Sequence, residues 1–215
     1  MNIFQKLSWM VQMGIHSLCD EEVHPLGKRT ISPKVSSVSE LDTKIRKSKS
    51  SLSVTATHTM GGAGVIPAEV MCILEFPSAM EDKTGEALSG PEGDLLKKML
   101  GAIGLDILKQ TYVGYLSPWR PPGARVLTTL ETREGLTLLV ERIKAVNPKV
   151  LLLFGMPVVK AMLNTPLGQA RSKQQNYQGI PVFATFSPSF LLKNSDYKKG
   201  AWEDLKKLQA FLSER

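Results

Sequence analysis

Four short apolar runs, at 70–76, 111–116, 150–154 and 181–186, decide most of what this chain can fold into. The third, Val150-Leu-Leu-Leu-Phe154, has no polar position at all. A strand with one wet face alternates apolar and polar residues, whereas a continuous run needs cover on both faces. The stretches between the runs have a different period. Leu95, Leu96, Met99, Leu100 and Ile103 share one face of a helix predicted over 93–103. A second helix is predicted over 131–146, stopped by Asn147-Pro148, and a third over 157–163, with proline in its first turn. A fourth, over 197–212, places Trp202, Leu205, Leu208 and Leu212 on one face. Strands joined by helical crossovers make a parallel sheet with helices on both sides. The expected fold over 69–215 is therefore a three-layer α/β/α sandwich on a four-stranded, mainly parallel sheet. Ligands of such sheets bind beyond the carboxyl ends of the strands. That rule nominates the loops at 76–90, 117–125, 155–156 and 187–193.

The chain before residue 69 has another character. Ile3, Phe4, Leu7, Met10, Val11 and Leu18 recur at roughly helical spacing, so 1–25 reads as an amphipathic helix that docks on the main domain. Residues 26–68 are rich in Ser, Thr, Lys and Gly, with few large apolar side chains. Such a stretch buries too little apolar surface to offset its ordering entropy. It is expected to be a flexible linker with one short helix near 40–47.

Composition excludes several classes of function. No run of about 18 apolar residues is present, so no membrane-spanning helix is expected. The first residues lack the apolar core of a signal peptide, and the expectation is cytoplasmic residence. Cys19 and Cys72 are the only cysteines. A structural zinc or an iron–sulfur cluster needs about four ligands, so no metal is expected, and Cys72 reads as a core residue. The net charge of +7 is unevenly placed. Residues 1–68 hold 8 Lys/Arg against 5 Asp/Glu, 69–170 hold 11 against 11, and 171–215 hold 8 against 4. A basic C-terminal region suits contact with phosphates, and equally a solvated basic surface.

The nominated loops carry recognisable wording. One is Leu74-Glu-Phe-Pro-Ser-Ala-Met-Glu-Asp82, followed by Gly85-Glu-Ala-Leu-Ser-Gly90 and Gly93-Asp-Leu-Leu96. The next is Tyr112-Val-Gly-Tyr-Leu-Ser-Pro-Trp-Arg-Pro-Pro-Gly-Ala-Arg125. Then come Pro148-Lys-Val-Leu-Leu-Leu-Phe-Gly155 and Ala184-Thr-Phe-Ser-Pro-Ser-Phe-Leu-Leu-Lys193. In this order, over about 70–215, the segments resemble the motifs of the uracil-DNA glycosylase superfamily. The pattern is most like that of family 4, the iron–sulfur-bearing bacterial and archaeal enzymes.

The resemblance implies hydrolysis of the N-glycosidic bond of a deaminated base flipped out of DNA. It makes Glu75 and Ser187 the catalytic positions and Phe76, Pro77, Ser78, Leu88 and Tyr115 the base pocket. DNA contact is expected from Arg120, Ser187, Pro188, Ser189, Lys193, Lys198 and Lys199. Phe190 and Leu191, with Leu192, are expected to form a wedge for the minor groove. Glu75 either activates water or hydrogen-bonds its own loop, and Arg120 either holds a phosphate or pairs with an acid. Glu81 and Asp82 read as charges of the loop and the helix approach.

The departures from the pattern matter as much. The family's stacking aromatic falls at Leu88, its base-reading asparagine at Tyr115 and its motif histidine at Ser187. Its cluster cysteines fall at Trp119 and near Gly135, so the iron–sulfur cluster is expected to be absent. His16, His24 and His58 all precede residue 69. The expectation is a diverged member with weak, altered or lost uracil excision, acting on DNA as a monomer. The alternative is a non-catalytic DNA-binding or protein-interaction module on the same scaffold, with a protein partner left open.

Overall fold

The computed structural model describes residues 37–214. The predicted N-terminal helix over 1–25 and the first part of the predicted linker lie outside the described residues.

The sheet has six strands. They are β1 (Ala63–Gly64), β2 (Val70–Leu74), β3 (Thr111–Tyr115), β4 (Val150–Phe154), β5 (Gln175–Tyr177) and β6 (Ile180–Thr185), in the order β1-β3-β2-β4-β6-β5. The four predicted strands form the parallel centre. β2 lies between β3 and β4, with Val70 opposite both Thr111 and Val150. Two short antiparallel strands, β1 beside β3 and β5 beside β6, close the edges and raise the count from four to six. At two and three residues, both are too short to show a period of two.

Alternation along β2 builds the two cores. Met71 and Ile73 point to one face with Leu151 and Leu153, while Val70 and Cys72 point to the other with Val150 and Leu152. The first face is covered by α1 (Val38–Arg46), α4 (Thr129–Val146), α5 (Met156–Leu163) and α6 (Leu167–Ser172). The second is covered by α3 (Gly90–Gly101), α7 (Pro188–Lys193) and α8 (Lys198–Ser213). A short α2 (Ala79–Thr84) follows the loop after β2. This is the expected three-layer sandwich. No helix among the described residues is long and apolar enough to cross a membrane.

Residues 37–68 depart from the linker expectation. Ser37 opens α1 with a capping box, its hydroxyl accepting from the Glu40 N–H and the Glu40 carboxylate accepting from its own N–H. Leu41 and Ile45, one turn apart, are each 1% exposed in the first core, and Leu52 and Met60 are also buried. Arg142 of α4 completes the attachment, donating to Asp42 at 2.6 Å and to the Tyr112 hydroxyl at 2.8 Å. Average composition hides this, because a few well-spaced apolar residues suffice when a sheet face waits to be covered. The domain therefore takes in 37–68 as well as 69–214.

Helix α4 shows how directly local sequence sets a boundary. Thr128 and Glu131 form a capping box, and Arg125 grips the Glu131 carboxylate with two bonds of 2.8 and 2.7 Å. That grip, with the Thr128 bonds, holds the Glu131 carboxyl down at about 2. Asn147 ends the helix in the left-handed region at φ 50°.

Because Ile45 is in the core, Ile45→Ala is expected to destabilise the protein by about 2–4 kcal/mol, the usual cost of emptying a buried site. Urea unfolding measures this, and a flexible linker predicts no change.

Candidate functional site

The carboxyl ends of β2, β4 and β6 open onto a cavity of about 280 Å³. That is at the lower end of small-molecule sites, which run from about 300 Å³ upward. Its walls come from the loop after β2, the start of α3, the Arg120 segment, the end of β4 and the Ser187 turn. All four nominated loops therefore contribute to it, the 155–156 turn through Gly155. Gly155 sits at φ 88°, and a Cβ there would lie 3.3 Å from the Ser187 Cβ, so a larger residue would push the two turns apart.

Of the residues nominated from the sequence, Glu75, Phe76, Ser78, Leu88, Arg120, Ser187, Pro188, Ser189 and Lys193 line this cavity. Glu75 is partly buried, and desolvation raises its carboxyl to about 7. A group with that value changes charge around neutrality, which suits a proton acceptor. Phe76 lies under the Arg120 guanidinium, whose centre is 5.6 Å from the ring centroid. Arg120 also donates to the Pro77 carbonyl at 2.8 Å. Part of its donor capacity thus ties the loop after β2 to the segment after β3, and its expected acid partner is replaced by a carbonyl.

Other expected site residues stand elsewhere. Pro77 is buried and contributes its carbonyl to Arg120. Tyr115 is 4% exposed and lies behind the wall, its hydroxyl donating to Glu81 at 2.6 Å. Burial, with the Glu81 carboxylate beside it, raises the phenol far above its ordinary value. Leu191 is 1% exposed in the second core, so it is not a wedge residue. Phe190 stacks on Phe186 at 5.4 Å and meets the Tyr197 ring edge-on at 5.0 Å. The reason is that 188–193 forms a helix, which turns these side chains inward and leaves Leu192, 44% exposed, as the outward apolar residue. Lys198 and Lys199 are exposed at the start of α8 and do not line the cavity. Ser187 is spent partly on structure, since its hydroxyl oxygen caps α7 by accepting from the Phe190 N–H at 3.3 Å.

The residue sequence reasoning undervalued is Glu81. It is 3% exposed and lines the cavity. One oxygen accepts from the Ser78 N–H at 2.7 Å, and the other accepts from the Leu88 N–H at 2.7 Å and the Tyr115 hydroxyl. Three donors compensate a carboxylate that has left water. They also hold Leu88 at φ 63°, a conformation that costs a branched residue on the order of 1–2 kcal/mol. Gly93 backs this turn so closely that a Cβ would meet the Leu88 carbonyl oxygen at 2.1 Å. The Ser78-x-x-Glu81 spacing is a readable capping-box signal, but nothing in the sequence says that its carboxylate is buried.

His58, the histidine among the described residues, is exposed and contacts the Asp82 carbonyl oxygen through Nδ1 at 2.6 Å. It is not part of the cavity wall. The two positions where the resemblance puts cluster cysteines do not fit a cluster. Trp119 is buried, with its indole N–H donating to Thr59 at 3.0 Å. A Cβ at Gly135 would meet the Leu116 carbonyl oxygen at 2.3 Å. Among the described residues no group of three or more His, Cys, Asp or Glu side chains is placed to hold a metal.

Removing the Tyr115 hydroxyl leaves Glu81 short of a donor where water is scarce. Tyr115→Phe is expected to lower unfolding free energy by about 1–3 kcal/mol. Denaturant midpoints of the variant and the parent chain measure it.

Comparison with known proteins agrees with this architecture. The chain is 26% identical over 167 residues to the type-4 uracil-DNA glycosylase of Thermotoga maritima, covering 75% of this chain and 86% of that one. It is 27% identical over 170 residues to the type-4 uracil-DNA glycosylase of Archaeoglobus fulgidus, covering 74% and 85%. The corresponding enzyme of Sulfurisphaera tokodaii is 28% identical over 165 residues, covering 71% and 74%. Residues 62–206 match the Uracil DNA glycosylase superfamily as a whole. With its whole sheet, its cavity and its Ser187 turn inside that span, the chain belongs to the uracil-DNA glycosylase superfamily.

Proposed function

We propose that this protein receives a base flipped from DNA in the cavity beside Glu75, and that its excision of uracil is weak, altered or lost. The observation that carries this reading is the Tyr115–Glu81 hydrogen bond. The residue at the base-reading position is turned into the wall, where it supports the cavity in place of reading a base edge. The cavity volume supports binding of a base-sized ligand. The named activity of the similar proteins supports DNA as the partner.

Hydrolysis would form a bond from the water oxygen to the sugar C1′ and break the C1′–N bond. The bonding pair leaves with the base, and the proton from water goes to Glu75. The raised carboxyl of Glu75 supports it as the acceptor, and the Ser187 hydroxyl is the neutral donor that stands where the family has a histidine. A neutral hydroxyl stabilises a departing anion less than an imidazole does. Leu88 supplies bulk at the base pocket and no ring face. No step passes through a metal or cluster, and we take the protein to work without one, as a cytoplasmic monomer.

Oligonucleotides bearing uracil, hypoxanthine or xanthine test the reading. Any excision is expected to be slow and to rise with pH through about 7, because Glu75 must be a carboxylate to accept the proton. Glu75→Gln should lower it by about a hundredfold and remove that rise. Absence of cleavage on all three substrates, with salt-sensitive duplex binding retained, leaves a non-catalytic DNA-binding module.

Ser187→His alone is expected not to restore strong uracil excision, since Leu88 and Tyr115 remain. Steady-state kinetics on a uracil oligonucleotide measures this, and robust activity from the single change would show a better-preserved pocket.

A further inference from the structure

A second concavity, of about 210 Å³, lies between α3 and α8 with α7 at its base. Its floor is Leu191, Leu205 and Met99, which belong to the second core. Its rim is Trp202, 40% exposed, with Lys98 on α3 and Lys198 on α8. No acidic residue lines it, and neither lysine's side-chain nitrogen has a hydrogen bond or ion pair to another described residue. The neighbouring Lys97, in contrast, pairs with Asp94 at 3.6 Å.

We propose that this groove docks an acidic amphipathic helix of a partner protein. The occupant follows from what the groove offers. Its walls are helices whose backbone groups are already bonded internally, so an extended peptide gains no strand pairing there. An apolar floor between two helices suits apolar side chains one turn apart on a guest helix. An exposed tryptophan is the residue type that most often anchors such contacts. The two unpaired lysines then favour Glu or Asp on the flanks of the guest. Nucleic acid fits less well, because phosphates could meet the lysines only by leaving Trp202 and Met99 uncovered. The groove shares α7 with the cavity, Leu191 facing one and Ser187 the other. A docked helix would rest against the back of the element that rims the cavity.

The test uses the full chain and a panel of labelled synthetic helical peptides with Leu or Phe one turn apart. One set carries Glu at the flanking positions, and a matched set carries Lys. Fluorescence anisotropy should show acidic peptides binding at about 10–100 μM and basic ones at least about tenfold more weakly. The double variant Lys98→Glu/Lys198→Glu should reverse that preference. Trp202→Ala should weaken binding by about tenfold or more while the variant still unfolds in one cooperative transition. No binding by any acidic peptide at roughly 1 mM overturns the proposal. So does equal binding of both sets, or indifference to the double variant. If duplex DNA is the ligand that the double variant weakens, and the peptides do not bind, the lysines belong to a nucleic-acid surface and the proposal fails.

Discussion

A single buried carboxylate holds the candidate site together. Glu81 draws the Ser78 turn, the Leu88 backbone and the Tyr115 hydroxyl onto two oxygens. These belong to the loop after β2, the approach to α3 and the end of β3. Without a charge at their meeting point, each would present an unpaired donor to an apolar interior. The cavity has its shape because these donors converge.

The same carboxylate reconciles two facts that look opposed. The loop after β2 keeps much of the family's wording, and the residue that should read a base is a tyrosine. Tyr115 occupies the wall without disordering it because its hydroxyl finds Glu81. Glu75, by contrast, has no such set of donors and responds to burial alone. Two acidic residues of one cavity thus sit in different surroundings, Glu81 bonded into the wall by three donors and Glu75 shifted by burial.

The sheet was the most legible part of the chain. Val150–Phe154, short, apolar and followed by Gly155, read as a strand covered on both sides, and Asn147-Pro148 marked the end of the helix before it. Less legible were 37–68, where Leu41 and Ile45 matter through position and not through number. The loops beyond the strand ends were found by a topological rule, and each of them contributes to one cavity. Phe190 and Leu191 were misplaced because six residues after a Ser-Pro turn can be read as a loop or a helix. The Ser187 cap, the burial of Leu191 and the packing of Phe190 on Phe186 and Tyr197 go with the helix. Glu81 showed its spacing but hid its burial, since burial depends on Tyr115, a residue 34 positions away.

The Tyr115–Glu81 bond also limits how this wall can be changed. An asparagine placed at 115 is too short to fill the space of a phenol and brings a different set of donors to Glu81. The exchange is therefore coupled to its surroundings, and neighbouring residues must change with it. Such coupling makes the wall close to all-or-none: Tyr115, Glu81 and the Leu88 turn are expected to be kept together or replaced together.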